Sequence, residues 1–250
     1  MLTTQEQLKY SRQIMLDKIG QQGQISLRNA KVLIVGVGGL GNPASLYLAA
    51  AGVGTLYIAD GDTIELSNLP RQIQFFEQDI NQNKADTAAE KLNQQFPDCN
   101  IEAIDEMLDQ ELCDYYLPQI DLVLDCSDNI ATRYLINQAC VTHKVPLVVG
   151  AATGFDGQQM VIDPRDDTSA CYHCLFPASE KAPANNCQTI GVLGPVLAII
   201  AGMQSLQAIK LLTGIEAQIN KLNLFDGLSN QWQHFTMKKQ KKCTVCGENK

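Results

Sequence analysis

The chain has 250 residues, 45% hydrophobic and 18% charged, with a formal net charge of -8. That length buries one sizeable core or two small ones, and the negative charge argues against nucleic acid or an anionic membrane as the main partner. The apolar run Val192–Ala201 is too short to span a bilayer and Met1–Lys9 lacks a signal peptide's apolar core, so a cytoplasmic protein is expected.

The first segment carries helix-start chemistry. Thr3 and Glu6 have capping-box spacing, and Leu8, Ile14, Met15 and Ile19 supply an apolar stripe. Arg12, within Tyr10-Ser11-Arg12-Gln13, reads by itself as a solvated helix charge. A short strand, Val32–Val35, then runs into Gly36-Val37-Gly38-Gly39-Leu40-Gly41, a G-x-G-x-x-G turn, with a small-residue helix over Ala44–Ala51. A second strand, Thr55–Ala59, ends at Asp60, about twenty residues beyond the glycines, where a ribose-binding acid belongs. Glycines let the backbone approach a phosphate, and the helix N-terminus offers it unpaired N–H groups. The sequel is Asp60-Gly61-Asp62 and Ser67-Asn68-Leu69-Pro70-Arg71-Gln72. Hydride transfer has no use for an Asn and an Arg at that place, whereas phosphoryl or nucleotidyl transfer does.

Asn83 reads as the N-cap of a helix over Lys84–Gln95, stopped before Pro97. A strand over Ile101–Ile104, a helix over Gln110–Leu117 and a buried strand, Leu122–Leu124, follow. The last runs into Asp125-Cys126-Ser127-Asp128-Asn129. A helix over Ile130–His143 and a strand over Leu147–Gly150 complete the alternation, which predicts a doubly wound, mostly parallel, Rossmann-like sheet. Ligands gather beyond the carboxyl ends of such strands, where Gly36–Gly41, Asp60 and Asp128 all fall. After Gly150 the pattern changes to a strand over Gln158–Ile162, a turn at Asp163–Asp167 and a hairpin of Leu222–Asp226 with Gln231–Thr236 around Gly227. This is a C-terminal antiparallel extension. Between them a long apolar helix, Val196–Leu212, closes at Gly214, and Ala178–Asn186 reads as a mobile loop. No linker marks a boundary, so one domain over 1–250 is expected: an arm at about 1–28, a nucleotide-binding core at about 29–150 and a remainder at about 151–250.

Nine cysteines, an odd number, fit free thiols and metal ligands better than a disulfide framework. Cys171-x-x-Cys174 and Cys243-x-x-Cys246 make two knuckles, the usual source of a closed tetrahedral thiolate shell for structural Zn2+. Separated by roughly 70 residues, they would staple distant segments, with His173 a bystander inside the first. Cys99, Cys113, Cys126 and Cys140 read as small buried hydrophobes, whereas Cys187 follows a polar loop and precedes a helix start at Gly191, a setting that lowers a thiol pKa. Asp60, Asp62 and Asp128 are strand-end carboxylates of the kind that hold Mg2+ with phosphate oxygens, and Arg71 and Lys84 are the basic counterpart. His143 and His234 sit in no nucleophile–base arrangement.

Together these residues resemble the ThiF/MoeB family of ubiquitin-activating-like adenylyltransferases. The resemblance covers nearly the whole chain. It rests on YSRQ at 10–13, GVGGLG at 36–41, DGD at 60–62, SNLPRQ at 67–72, Lys84, DCSDN at 125–129, the two Cys-x-x-Cys pairs and GVLGPV at 191–196. It implies ATP-dependent adenylation of the C-terminal glycine of a small ubiquitin-fold sulfur carrier ending in Gly-Gly, a homodimer and a structural zinc. The 151–250 part would bind the carrier, and a cysteine desulfurase or another sulfur donor would be a further partner. Carried over by position, the glycines and Asp60 would hold the nucleotide, with Asp62, Ser67, Gln72 and Asn129 lining the same site. Asn68, Arg71 and Lys84 would hold the triphosphate, Asp128 would ligate magnesium, and Arg12 would reach the neighbouring subunit's γ-phosphate. Cys187 would handle the activated carrier after adenylation.

Asn186-Cys187-Gln188-Thr189 and Phe225-Asp226-Gly227 resemble the thiamine branch more than the molybdopterin branch. Gly61 and Pro70 depart from the family pattern without removing a charged ligand. Two rivals share part of the evidence. An NAD-dependent dehydrogenase would use the glycine turn and Asp60 but leave Arg71, Lys84 and Asp128 idle. A zinc-stapled binding module would not exchange pyrophosphate at all.

Overall fold

Five short strands, β1 (Lys31–Val35), β2 (Thr55–Ala59), β3 (Asn100–Ile104), β4 (Leu122–Asp125) and β5 (Leu147–Thr153), pair in parallel in the order β3-β2-β1-β4-β5. Three more, β6 (Asp156–Ile162), β7 (Lys221–Asp226) and β8 (Gln231–Thr236), extend the same sheet antiparallel from β5. The computed structural model describes residues 1–177 and 191–247. The predicted sheet and its antiparallel extension are both present.

Side chains alternate across each strand, so the sheet has two apolar faces. Val32, Ile34, Leu56 and Ile58 pack beneath α4 (Gly41–Ala50), α5 (Lys84–Gln95) and α9 (Gly194–Leu212). Leu33, Val35, Tyr57 and Val123 face the other way, beneath α6 (Gln110–Tyr116) and α7 (Ile130–His143) and beside the cysteine cluster. Asn83 caps α5 as predicted, accepting from the Asp86 N–H, and Asn129 caps α7, accepting from the Ala131 and Thr132 N–H groups.

The N-terminal arm departs from the predicted stripe. The Thr3–Glu6 capping box forms, but the chain breaks at Tyr10 into α1 (Thr4–Lys9) and α2 (Ser11–Ile14), before α3 (Gly20–Asn29). The break turns Tyr10 inward, where its ring abuts Gly52, and leaves Leu8 and Met15 77% and 70% exposed. The stripe is therefore not a buried face.

The helix expected over Val196–Leu212 begins at Gly194, after Gly191, which reads in the sequence as a helix start. Gly191 takes a positive φ of 81° and Val192 bridges Gly154, so this stretch is bound to the β5–β6 turn before the helix starts. With 19 residues and a mean hydropathy of 1.5, α9 is longer than the run Val192–Ala201 and long enough to cross a bilayer. Here it lies on the sheet, with Ile200, Ala201 and Ala208 buried and Gln204 Nε2 donating to the carbonyls of Asp125 and Val148 at 2.9 and 3.2 Å. On the opposite face, the short α8 (Tyr172–Leu175) packs against α7 and carries the first cysteine knuckle.

Candidate active site

The turn between β1 and α4 is built on two crowded glycines. Gly36 has a φ of 89°, and a Cβ at Gly41 would lie 1.8 Å from the Gly36 carbonyl oxygen. A Cβ at Gly36 would lie 2.9 Å from the Cys126 carbonyl oxygen, so the loop after β4, which carries Asp128, abuts the glycine turn directly. Gly39 faces Leu197 of α9, and Gly38 lies beside the Gln72 carboxamide. From the end of β2, buried Asp60 ties these parts together. Its Oδ2 accepts from the Val37 N–H at 2.7 Å and its Oδ1 from the Asp62 N–H at 2.9 Å. Burial raises the Asp60 carboxyl, against the pull of Lys84 and the two backbone donors.

Asp62 is exposed and accepts from Lys84 Nζ at 2.9 Å, while the Lys84 N–H donates to the Asp62 carbonyl at 3.0 Å. Lys84 itself is only 7% exposed, its stem packed at the N-terminus of α5. Gly61, one of the two departures from the family pattern, sits where a Cβ would be 2.7 Å from the Met107 nitrogen. Asn68 is buried and its Oδ1 accepts from the Glu65 N–H at 3.1 Å. Arg71 Nη1 donates to the Ser67 carbonyl at 2.8 Å, which uses one of five guanidinium donors. Gln72 is buried, and its Oε1 has no partner among the described residues. Asp128 is exposed at the rim, and Asn129, also exposed, spends its Oδ1 on the Ala131 and Thr132 N–H groups.

The glycine turn, Asp60, Asp62, Lys84, the Ser67–Gln72 strap and the Asp128 loop thus meet beyond the carboxyl ends of β1, β2 and β4. Arg12 is elsewhere. It is exposed on α2, whose Gln13 donates to the Ala51 carbonyl at 3.1 Å, just past the C-terminal end of α4. The glycine turn is at that helix's other end, and ten residues of α-helix span about 15 Å. Cys187 lies outside the described residues.

Four sulfurs converge on the second face of the sheet. Cys171 lies 3.9 Å from Cys174 and 3.6 Å from Cys243, and Cys174 lies 3.4 Å from Cys246, sulfur to sulfur. Disulfides require about 2.05 Å, whereas thiolates around a tetrahedral zinc at about 2.3 Å are spaced about 3.8 Å apart. The set fits a closed thiolate site that could hold a metal ion. Burial pushes the Cys171 thiol up. At Cys243 burial is outweighed by backbone N–H donors from Cys246 and Val245, which hold the thiol at about 6. His173 Nδ1 is 3.9 Å from Cys243 Sγ, a neighbour rather than one of the four. Cys99, Cys113, Cys126 and Cys140 are buried as expected, and burial lifts the first two thiols to about 12.

Three side chains that support the site carry no sequence signal. Arg133 is buried on α7 and donates to the carbonyls of Ser127 and of Gly150, the latter at 2.9 Å, beside fully buried Asp125. Asn42 and Gln74 join α4 to the strap. The Arg133–Gly150 and Asn42–Gln74 pairings span segments remote in sequence, where no local pattern reaches.

The ThiF family description matches residues 10–245. The chain belongs to the ThiF family. It is 47% identical over 240 residues to the protein named sulfur carrier protein ThiS adenylyltransferase of Escherichia coli K12, covering 96% of this chain and 95% of that one. It is 41% identical to the adenylyltransferase and sulfurtransferase MOCS3 of Caenorhabditis briggsae, of which it spans 60%. Among solved structures, E. coli MccB superposes with a TM-score of 0.84 at 24% identity, over 96% of this chain and 75% of that one, a likeness of fold. This ThiF-family chain is accordingly an adenylyltransferase.

Proposed function

We propose that the chain uses ATP to adenylate the C-terminal glycine of a small ubiquitin-fold sulfur carrier, releasing pyrophosphate, in thiamine thiazole formation. The observation that carries this reading is the meeting of the glycine turn, Asp60, Lys84, Arg71 and the Asp128 loop at one end of the parallel strands. Its relation to a ThiS adenylyltransferase over nearly the full length of both chains points the same way.

The chemistry is electrostatic. A carboxylate attacking the α-phosphate must approach a polyanion, and the leaving pyrophosphate gathers charge. Glycine-turn N–H groups, Arg71 and Lys84 would offset that charge, Asp60 would take the ribose hydroxyls, and Asn68 would hold the phosphates from the strap. Asp128, exposed and beside the turn, would hold magnesium, which supplies further neutralisation when bound. The carrier's own carboxylate is the nucleophile, so the protein needs none. Lys84 is already held by Asp62 and arrives preorganised, whereas Arg71 has donors to spare for a ligand.

Arg12 completes the site in trans, from the second subunit of a homodimer. The length of α4 separates it from its own chain's glycine turn, which supports that arrangement. Zinc is the metal proposed for Cys171, Cys174, Cys243 and Cys246, in a structural role because four thiolates leave no open position. Cys187 is proposed, on its sequence setting, to act after adenylation in handling the carrier.

ATP–pyrophosphate exchange measured with a ThiS-like and a MoaD-like carrier tests the reading. Stimulation by the ThiS-like carrier supports it, and stimulation by the MoaD-like carrier alone moves the chain to molybdopterin synthesis, the alternative that the MOCS3 relatives keep open. No stimulation by either refutes both.

A further inference from the structure

Arg71 and Gln72 belong to a stretch, Ser67–Asp79, with little regular structure of its own, and something has to hold it against the glycine turn. Asn68 closes its first turn, accepting from the Arg71 and Gln72 N–H groups at 3.0 Å, and the Phe75 N–H donates to the Gln72 carbonyl at 3.0 Å. The next contacts leave the segment. The Gln74 N–H donates to Asn42 Oδ1 at 2.8 Å, and its Nε2 donates to the Asn42 carbonyl and to Ser45 Oγ, the latter at 3.0 Å. Asn42 and Ser45 lie in the first turns of α4, directly after Gly41. From the other side, Lys91 of α5 donates to the Gln74 carbonyl at 3.1 Å, pairs with Asp79, and places its ammonium 4.0 Å over the Phe76 ring.

The three residues of the contact with α4 are out of water: Asn42 is fully buried, Ser45 likewise and Gln74 7% exposed. Asn42 Nδ2 and Gln74 Oε1 have no partner among the described residues, so the arrangement is not the one stability alone would select. An apolar pair of the same shape would avoid both orphans. What the polar pair gives instead is register. Three directed hydrogen bonds fix Gln74, three residues after Arg71, to the same helix turn that follows the glycines.

We propose that Gln74, clamped to Asn42 and Ser45, is a positioning residue for adenylyl transfer that sets Arg71 against the glycine turn. The proposal rests on the adenylation reading above, since it assigns Arg71 a transition-state role. Such a residue acts through geometry, so its loss shows in kcat rather than in carrier binding.

The test is carrier-dependent ATP–pyrophosphate exchange by Gln74→Met and Asn42→Ala, alone and combined, together with thermal melting of each. Met keeps the volume of Gln and removes its two side-chain hydrogen bonds, and Asn42→Ala removes the acceptor of the third, from the Gln74 backbone N–H. Expected is a tenfold or larger fall in kcat for each single variant with KM for the carrier unchanged, and a double variant no slower than the worse single. Should Gln74→Met fail to fold, Asn42→Ala with Ser45→Ala serves, because each removes one acceptor from the clamp. Folded variants that exchange at the parental rate, or whose losses multiply independently, overturn the clamp and leave the adenylation reading standing. A parent chain that exchanges no pyrophosphate with any carrier overturns both.

Discussion

The two halves of the sheet each gather a set of ligand-bearing side chains, and they do so in opposite ways. At the carboxyl ends of β1, β2 and β4 the groups come from short stretches that follow each strand, and the outermost of them, Asp62, Ser67 and Asp128, are exposed. At the other face the cysteines come from segments 72 residues apart, two of the four are buried, and the sulfurs already stand at tetrahedral spacing. The first arrangement leaves charged groups free to exchange a ligand. The second would close around one ion and tie the segment that carries Cys243 and Cys246 to α8. The proposed turnover site and the proposed structural site thus differ in how much of their coordination would remain open, as well as in residue chemistry.

The contrast breaks most visibly if the cysteine edge is opened. Cys243→Ala, or chelation of the proposed zinc, is expected to lower the melting temperature by roughly 10 °C or more, as 1 kcal/mol moves a chain of this size by about 2–4 °C. Metal analysis of protein purified without chelator is expected to return one zinc per chain, and less than half an equivalent would contradict the assignment. The rim should fail in the other manner. Arg71→Ala and Asp128→Ala are expected to cut carrier-dependent exchange a hundredfold or more, about 3–4 kcal/mol, with melting unchanged. Rates within a few-fold of the parent would remove that residue from the site.

Arg12 sharpens the comparison, because it would bring a third region into the rim from another subunit. Mixed dimers of inactive Arg12→Ala and inactive Asp128→Ala chains are expected to recover about one competent site in each mixed dimer, given one Arg12 donated per site. No recovery, with subunit exchange confirmed by native mass spectrometry, would place Arg12 outside the mechanism.

The smallest effect concerns Asp60. Its folded pKa is raised by burial, so protonation favours the fold, and the cost of carrying the charge is present above the folded value and gone below the unfolded one. Asp60→Asn should therefore melt no lower than the parent at neutral pH, and the difference should shrink as pH falls into the carboxylate range. The same variant should bind ATP more weakly. A melting temperature well below the parent's at neutral pH would show that the Val37 and Asp62 hydrogen bonds outweigh desolvation.

Much of this was legible wherever the chain signals locally. Asn83 marks the start of α5, and the crowded Gly36 and Gly41 mark the turn because no side chain fits there. The Cys-x-x-Cys spacings pointed to one cluster before any coordinate did. The N-terminal stripe misled because periodicity records which residues are apolar, not whether a core lies under them, and Tyr10 diverts the helix. The helix read over Val196–Leu212 starts at Gly194, two residues earlier, but Gly191 misled as a helix start because its backbone follows the β5–β6 turn. The Gln74–Asn42 clamp and the Arg133 contacts were invisible, since residues 32 and 17 positions from their partners leave no period to read.

The central claim is that this rim transfers AMP to a carrier's terminal carboxylate. Intact-mass analysis of a ThiS-like carrier after incubation with the chain, ATP and magnesium, under pyrophosphatase to draw the reaction forward, reads that product directly. The account predicts a carrier heavier by one AMP group, lost when the last glycine is deleted and absent with Arg71→Ala. An unmodified carrier in the presence of folded, metal-replete chain, or an adduct that survives removal of the terminal glycine, would contradict it.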